Sequence, residues 1–305
     1  MLIGTIILKS AYLLISWRVL SLQQEALREP RGKGVSSMKL FAINQEQCTQ
    51  CGICTKVCPV GVLNLGANGV EELSPQACIA CGHCVAVCPT AAIDNQKTPQ
   101  ANQVSIETFP VLDKKTAQEF LRSRRSIRCY KNIPVPREQL LELVEIARFA
   151  PTGSNSQGIS YLIVEDTRVL HKAVEATIEW MEDPNIKQLH WSFEYHIRSY
   201  REKGSDPIFR GAPHLILGTA QSNLPRAREN TIFSLTYLEL YATTLGLGSC
   251  WAGLFEACAF SNYEPLLKLF NVSKDKILTG AVMVGYPQYS YKRLVDRNPL
   301  DVTWL

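Results

Sequence analysis

The segment Cys48-Thr-Gln-Cys51-Gly-Ile-Cys54-Thr-Lys-Val-Cys58-Pro59 returns further along the chain as Cys78-Ile-Ala-Cys81-Gly-His-Cys84-Val-Ala-Val-Cys88-Pro89. Eight of the eleven cysteines sit in these two runs. An iron–sulfur cube takes four thiolates, one per iron. Three closely spaced cysteines wrap three irons from one turn of chain, and the loop cannot encircle the cube to supply the fourth. In a run of this spacing the trailing cysteine serves the other cluster. Cys48, Cys51, Cys54 and Cys88 are therefore expected to hold one [4Fe–4S] cluster, and Cys78, Cys81, Cys84 and Cys58 the second. Gly52 and Gly82 allow close backbone approach. Pro59 and Pro89 direct the exit of the chain. Ile53, Val57, Ile79 and Val85 are placed to keep water away, which tunes potential. Structural zinc is the rival, but zinc sites use self-contained four-ligand sets, commonly two paired cysteines. His83 is surplus to the eight thiols.

A second concentration of chemistry lies at Arg122-Ser123-Arg124-Arg125-Ser126-Ile127-Arg128. Guanidinium forks and serine hydroxyls suit a phosphate. A solvated basic helix end would look the same on charge alone. The segment Ala150-Pro151-Thr152-Gly153-Ser154-Asn155-Ser156-Gln157 tips the balance. It is a loop of small polar residues between a helical and an extended stretch, able to approach the edge of a flat polar ring.

Two families share these features. The cysteine segment resembles the bacterial two-cluster ferredoxins over about 50 residues, which implies low-potential, one-electron transfer. The basic run and the loop together resemble the nitroreductase family. Gly248-Ser249-Cys250-Trp251-Ala252-Gly253 is similar to that family's glycine-containing turn beneath the flavin. Gly285-Tyr286-Pro287, followed by Lys292 and Arg293, is similar to its C-terminal phosphate contact. The resemblance covers nearly all of 109–305, with the pieces in order. It implies FMN, with phosphate and ribityl contacts from Arg124, Arg125, Ser126 and Arg128. Arg293 would close on the phosphate, Asn155 would face the ring, and backbone groups of Ala252 and Gly253 would lie near the reactive N5. It also implies a homodimer with FMN at the interface, the loop from Pro151, Thr152, Gly153 and Ser154 to Ser156 coming from the neighbouring subunit. Ala252 stands where many members carry an acidic residue, which bears on substrate preference rather than on FMN.

These residues need elements to position them. The chain has 305 residues, 46% of them hydrophobic, which is enough for two domains. Four regions are expected: a doubtful extension over 1–37, a cluster module over 38–97, a polar linker over 98–108, and the larger domain over 109–305. In the larger domain 116–125, 137–149 and 226–245 read as helices, the last ended by Gly246 and Gly248. Leu140, Leu141, Val144 and Ala147 form the apolar face of the second. Ile159–Val164, Leu215–Ala220 and Leu278–Val284 read as strands. Strands and helices without simple alternation give an α+β fold, a ferredoxin-like module fused to a nitroreductase-like domain.

Composition excludes other classes. Charged residues of both signs make up 20% and the net charge is +4. No basic stripe with interleaved aromatics points to nucleic acid. Met1–Leu20 is mostly apolar, but Lys9 and Arg18 break it below the length of a bilayer span. Residues 1–37 are read as a mis-assigned gene start upstream of Met38, with a membrane-associated amphipathic helix as the rival. Thiolate-bound clusters imply a reducing compartment, the cytoplasm. Cys129, Cys250 and Cys258 are expected to be buried inert thiols. His171, His190, His196 and His214 show no ligand spacing. Trp191, Phe193, Tyr195 and Tyr200 are either packing residues or a pocket wall. Functionally, the pairing of clusters with FMN predicts an oxidoreductase. Reduced ferredoxin or another low-potential donor would load it, and a nitroaromatic, quinone or activated alkene would accept the electrons. A carrier without its own substrate, or a redox sensor, are the rivals.

Overall fold

The computed structural model describes residues 39–106, 108–187 and 190–305. The expectations for residues 1–37 and for Met38 lie outside the described residues. The chain divides into two compact units, one of residues 39–78 with 82–103 and one of residues 79–81 with 104–305.

The first unit is built twice from the same parts. Strand β1 (Phe41–Ile43) is followed by helix α1 (Ile53–Lys56), the hairpin β2 (Leu63–Gly66) and β3 (Gly69–Glu72), helix α2 (His83–Ala86) and strand β4 (Ile93–Asn95). β1 pairs antiparallel with β4, setting Ile43 opposite Ile93. Each helix is a single turn that starts from a left-handed glycine, Gly52 at φ 68° and Gly82 at φ 71°. The glycines are required by this backbone conformation as well as by close approach. The residues two positions earlier, Gln50 and Ala80, are also left-handed, at φ 53° and 54°. A non-glycine residue adopts that conformation only where its surroundings impose it. Phe41, Val62, Leu63, Val70, Val85 and Ile93 form a small core that also buries Cys54 and Cys84.

The second unit is an α+β domain around one antiparallel sheet. Its elements are α3 (Lys114–Ser123), α4 (Arg137–Ala147), β5 (Ile159–Val164), α5 (Thr167–Glu182), α6 (Pro184–Lys187), α7 (Phe193–Lys203), β6 (His214–Gln221), α8 (Ala227–Thr244), β7 (Gly248–Trp251), α9 (Gly253–Phe260), α10 (Glu264–Leu267) and β8 (Lys276–Gly285). The strand order is β5-β6-β8-β7. Side chains alternate across a strand. Leu215, Leu217, Ala281 and Met283 join α5 and α9 in one core, while Ile216, Val282 and Val284 join α4 and α8 in the other. Both faces are covered, so β6 and β8 read as apolar runs rather than alternating ones. Helix α8 lies close on the sheet because Gly218 and Gly280 leave room for Thr231, into which a Cβ at either position would run.

Two local expectations need correction. Leu141 is 59% exposed and Leu143 fully buried, so the inner face of α4 is Leu140, Leu143 and Ala147, with Val144 half-buried. The two leucines lie on either side of the stripe in the helical repeat, and only the packing against α8 chooses between them. Gly248 does not end the preceding helix. Gly246, at φ 68°, turns the chain, and Gly248–Trp251 is a strand rather than a turn. Replacing Leu143 with Ala is expected to cost about 2–5 kcal/mol, the range for a large-to-small change in a packed core. Urea unfolding measures it.

Candidate functional site

In the first unit, Cys48, Cys51, Cys54 and Cys88 line one cavity, with Ile43, Val70 and Ile93 as apolar walls. Three thiols of the first repeat thus share a space with the last thiol of the second. Burial pushes the Cys54 thiol up, reinforced by the proximity of Cys88 and Cys48. Burial also acts upward on Cys88, but hydrogen bonds from the Thr90, Ala92 and Ile93 backbone and the Thr90 hydroxyl outweigh it and hold this thiol low. The Ala92 N–H donates to Cys88 Sγ at 3.3 Å. A low-lying thiol preorganised by N–H donors is suited to bind as thiolate. In the other set, Asn95 Nδ2 donates to Cys78 Sγ at 3.6 Å. Cys58 and Cys78 pack against the module core, Cys84 is buried and Cys81 half-buried. Among the described residues no three His, Cys, Asp or Glu side chains converge to hold a single ion. A cube asks for a different arrangement, with thiols standing around a volume and each reaching its own iron.

In the second unit, Arg122, Arg124, Arg125, Ser126 and Arg128 line a cavity of about 600 Å³ just beyond the end of α3. Tyr291 and Arg297 close it from the C-terminal segment. The Arg125 guanidinium stacks over the Tyr291 ring at 4.3 Å and donates to the Arg293 carbonyl at 2.5 Å. Arg293 therefore meets Arg125 through its backbone carbonyl, and Arg297 is among the residues that line the cavity. The Ile127 N–H donates to the Ser249 carbonyl at 2.8 Å, which ties the basic run to the edge of the sheet. The concentration of guanidinium groups around a roomy cavity is the arrangement that a phosphate monoester needs.

Behind it stands Glu239, 3% exposed. Its carboxylate accepts from Ser249 Oγ at 3.1 Å and from Trp251 Nε1 at 2.8 Å, and lies 3.6 Å from Arg124 Nη1. Burial pushes this carboxyl above its usual range, against the pull of Arg124, Ser249 and Trp251. A second buried carboxylate, Glu256, accepts from the Ala281 N–H at 2.8 Å. Burial raises it too, opposed by that N–H and by Arg228. The Ala281 carbonyl in turn accepts from the Ala252 N–H at 2.9 Å. The Ala252–Gly253 corner is thereby locked to β8. The Ala252 N–H is spent inside the protein, whereas Gly253 opens α9, where an N–H has no intrahelical acceptor. A Cβ added at Gly253 would meet nothing within 4 Å.

The Pro151–Ser156 loop forms a short 3₁₀ turn over Gly153–Asn155. Ser154, Asn155 and Gln157 are left-handed, at φ 51°, 52° and 49°. The Gln157 N–H donates to Thr152 Oγ1 at 3.0 Å. Asn230 of α8 meets the loop twice, accepting from the Gly153 N–H at 3.0 Å and donating to Ser156 Oγ at 3.3 Å.

Glu239, Glu256, Asn230, Tyr291 and Arg297 are not singled out by the sequence. Glu239 and Asn230 appear there as polar interruptions of the helical stretch 226–245. Of the leftover thiols, Cys250 and Cys258 are buried and Cys129 is exposed. Burial raises Cys250, and it carries Cys258 up to about 12. Both therefore rest as thiols. Phe193 packs on Trp180 at 5.7 Å between centroids, while Trp191 and Tyr195 are exposed. His214 Nε2 accepts from the Val135 N–H at 2.8 Å, a packing role.

An α+β domain with an arginine-walled anion cavity, carried on the same chain as two interleaved sets of cluster-spaced thiols, defines an iron–sulfur oxidoreductase class. Residues 121–286 match the model of the nitroreductase family, and residues 41–89 that of a 4Fe-4S dicluster domain. The chain belongs to the nitroreductase family, extended by a 4Fe-4S dicluster domain. Among its relatives, an NADH dehydrogenase of Thermus thermophilus is 38% identical over 192 residues, covering 59% of this chain and 89% of the relative. An iodotyrosine deiodinase of Thermotoga neapolitana is 26% identical, covering 57% of this chain and 89% of its own. A nitroreductase of Desulfitobacterium hafniense, solved with bound FMN, shares the fold with a TM-score of 0.51 and 19% identity, over 63% of this chain and 100% of that one. Among the described residues no helix is long and apolar enough to cross a membrane.

Proposed function

We propose that this chain passes electrons from a low-potential one-electron donor, such as reduced ferredoxin, to an organic acceptor: a nitroaromatic, a quinone or an activated alkene. When bound, the two clusters supply single-electron transfer, and FMN supplies the change from single electrons to pairs. The remainder is the work of this chain's own residues. Cys48, Cys51, Cys54 and Cys88 would hold one cluster, and Cys78, Cys81, Cys84 and Cys58 the other. Arg124, Arg125, Ser126 and Arg128 would hold the FMN phosphate and ribityl chain. Arg125 arrives already fixed by Tyr291 and the Arg293 carbonyl, which lowers the entropic cost of gripping an anion. Gly253 offers an N–H and open space at the corner assigned to the flavin ring. Asn155 and the Pro151–Ser156 loop would reach the ring of the neighbouring subunit in a homodimer. The observation that carries the proposal is the single cavity shared by Cys48, Cys51, Cys54 and Cys88, on the same chain as a cavity walled by arginines.

The test is anaerobic purification with iron, sulfide and FMN counted per chain, followed by a screen of acceptors. Dithionite or reduced ferredoxin is expected to support turnover better than NADH. Protein that holds zinc and no flavin would overturn the proposal. The similarity to the NADH dehydrogenase of Thermus thermophilus favours a second reading in which a reduced nicotinamide is the donor. A clear NADH or NADPH preference with idle clusters would select it.

A further inference from the structure

The loop Pro151–Gln157 holds its shape against its own backbone preferences. Three of its residues, Ser154, Asn155 and Gln157, are left-handed although none is glycine. L-residues avoid this region because Cβ crowds the following carbonyl. Such a conformation persists only where the surrounding structure over-determines it. Part of the constraint comes from one side chain outside the loop, which grips it at Gly153 and Ser156. Asn230 is 1% exposed, and its amide is used at both ends, the oxygen by the Gly153 N–H and the nitrogen by Ser156 Oγ.

Asn230 is itself held firmly. It lies in the first turn of α8, where its N–H donates to the Arg226 carbonyl at 2.9 Å. The next residue, Thr231, is seated against Gly218 and Gly280 and shares a hydrogen bond of 2.7 Å with Thr279 on β8. The sheet thus fixes the helix, the helix fixes the amide, and the amide fixes the loop. Few other side chains could do this. The site needs an acceptor and a donor on one planar head of this length, and at this burial any unmatched polar group is costly.

We propose that Asn230 is a positioning residue for FMN, holding the Pro151–Gln157 loop in the left-handed form that presents it to the flavin ring. This rests on the FMN reading given above. It adds that affinity for the ring depends on a residue that touches no part of the cofactor, while affinity for the phosphate does not depend on it.

The experiment uses the full chain, stripped of FMN and titrated with FMN, riboflavin and inorganic phosphate in parallel. Asn230→Ala is expected to weaken FMN and riboflavin by the same factor, about tenfold, the effect of orphaning one buried donor. Inorganic phosphate is expected to bind unchanged. The visible absorption and circular dichroism of bound FMN should shift as the ring environment loosens, and the Gly153 amide should exchange faster. Asn230→Asp, which keeps the acceptor, should recover part of the loss. Ser156→Ala perturbs only the weaker contact from the solvent side, folds regardless, and should show a smaller effect of the same sign. Asn230→Ala and Ser156→Ala proteins that match the wild type in flavin affinity and flavin spectrum overturn the proposal. Equal weakening of phosphate and riboflavin overturns it too, since that marks general destabilisation. Wild-type protein that binds phosphate but no flavin overturns the FMN reading, and this proposal with it.

Discussion

Replacing Cys48 and Cys58 together by serine is expected to strip the protein of nearly all its iron, whereas replacing Cys48 and Cys88 together removes only about half. The two double variants delete the same number of thiols. They differ in whether both losses fall on one cluster. Cys48 and Cys88 line the same cavity, so their joint loss empties one site and leaves the set Cys78, Cys81, Cys84 and Cys58 complete. Cys48 and Cys58 are neighbours in sequence, yet each is assigned to a different cluster, so their joint loss leaves two incomplete sites. Iron and sulfide counted in anaerobic protein, with low-temperature paramagnetic resonance after dithionite, separate the cases. The reverse pattern would mean that each repeat binds its own cluster.

The second large effect is expected at Glu239. Alanine there leaves Arg124 without its internal counter-charge and the Ser249 hydroxyl and Trp251 N–H without an acceptor. Breaking a buried pair by deleting one partner costs about 3–5 kcal/mol. Arg124 retains 26% exposure and can recover some hydration, so the lower end, about 3 kcal/mol, is expected. The pH dependence adds a signature. Burial raises this carboxyl above its ordinary 4.5, so the folded protein holds the proton more tightly than the unfolded chain. Stability attributable to Glu239 is then full below pH 4.5 and declines as pH rises through the raised value. Glu256 is raised as well and contributes with the same sign. Glu239→Gln keeps an acceptor and removes the charge, so the decline should become shallower while the Glu256 share remains. Denaturant unfolding across that pH range measures it, and identical slopes in the two proteins would refute the assignment.

Both results depend on contacts between residues far apart in the chain, and the same distinction separates what was legible in the sequence from what was not. A cubane's demand for four thiolates is local and stoichiometric, so the repeated cysteine spacing leads to a proposed ligand set, and the cavity that Cys88 shares with Cys48, Cys51 and Cys54 agrees with its place in it. Strand β5 is readable because a short β-branched run between turn signals has few alternatives. The basic run and the Pro151–Ser156 loop are readable as chemistry because arginine and small polar residues in such density suit an anion and a ring edge.

Other features required three dimensions. Leu141 and Leu143 are equally apolar, and only the approach of α8 decides which is inside. Arg297 lines the anion cavity beside the basic run, a placement that the C-terminal segment has no periodicity to announce. Glu239, Glu256 and Asn230 are ordinary polar residues on helices until folding places Arg124, Ala281 and Gly153 opposite them. By itself the sequence marked which groups are suited to metal and phosphate, since those requirements are met by residue type and short spacing. Tertiary structure alone decided which buried carboxylates and amides hold those groups in place, because a polar side chain acquires its role from the partner that folding brings within hydrogen-bond reach.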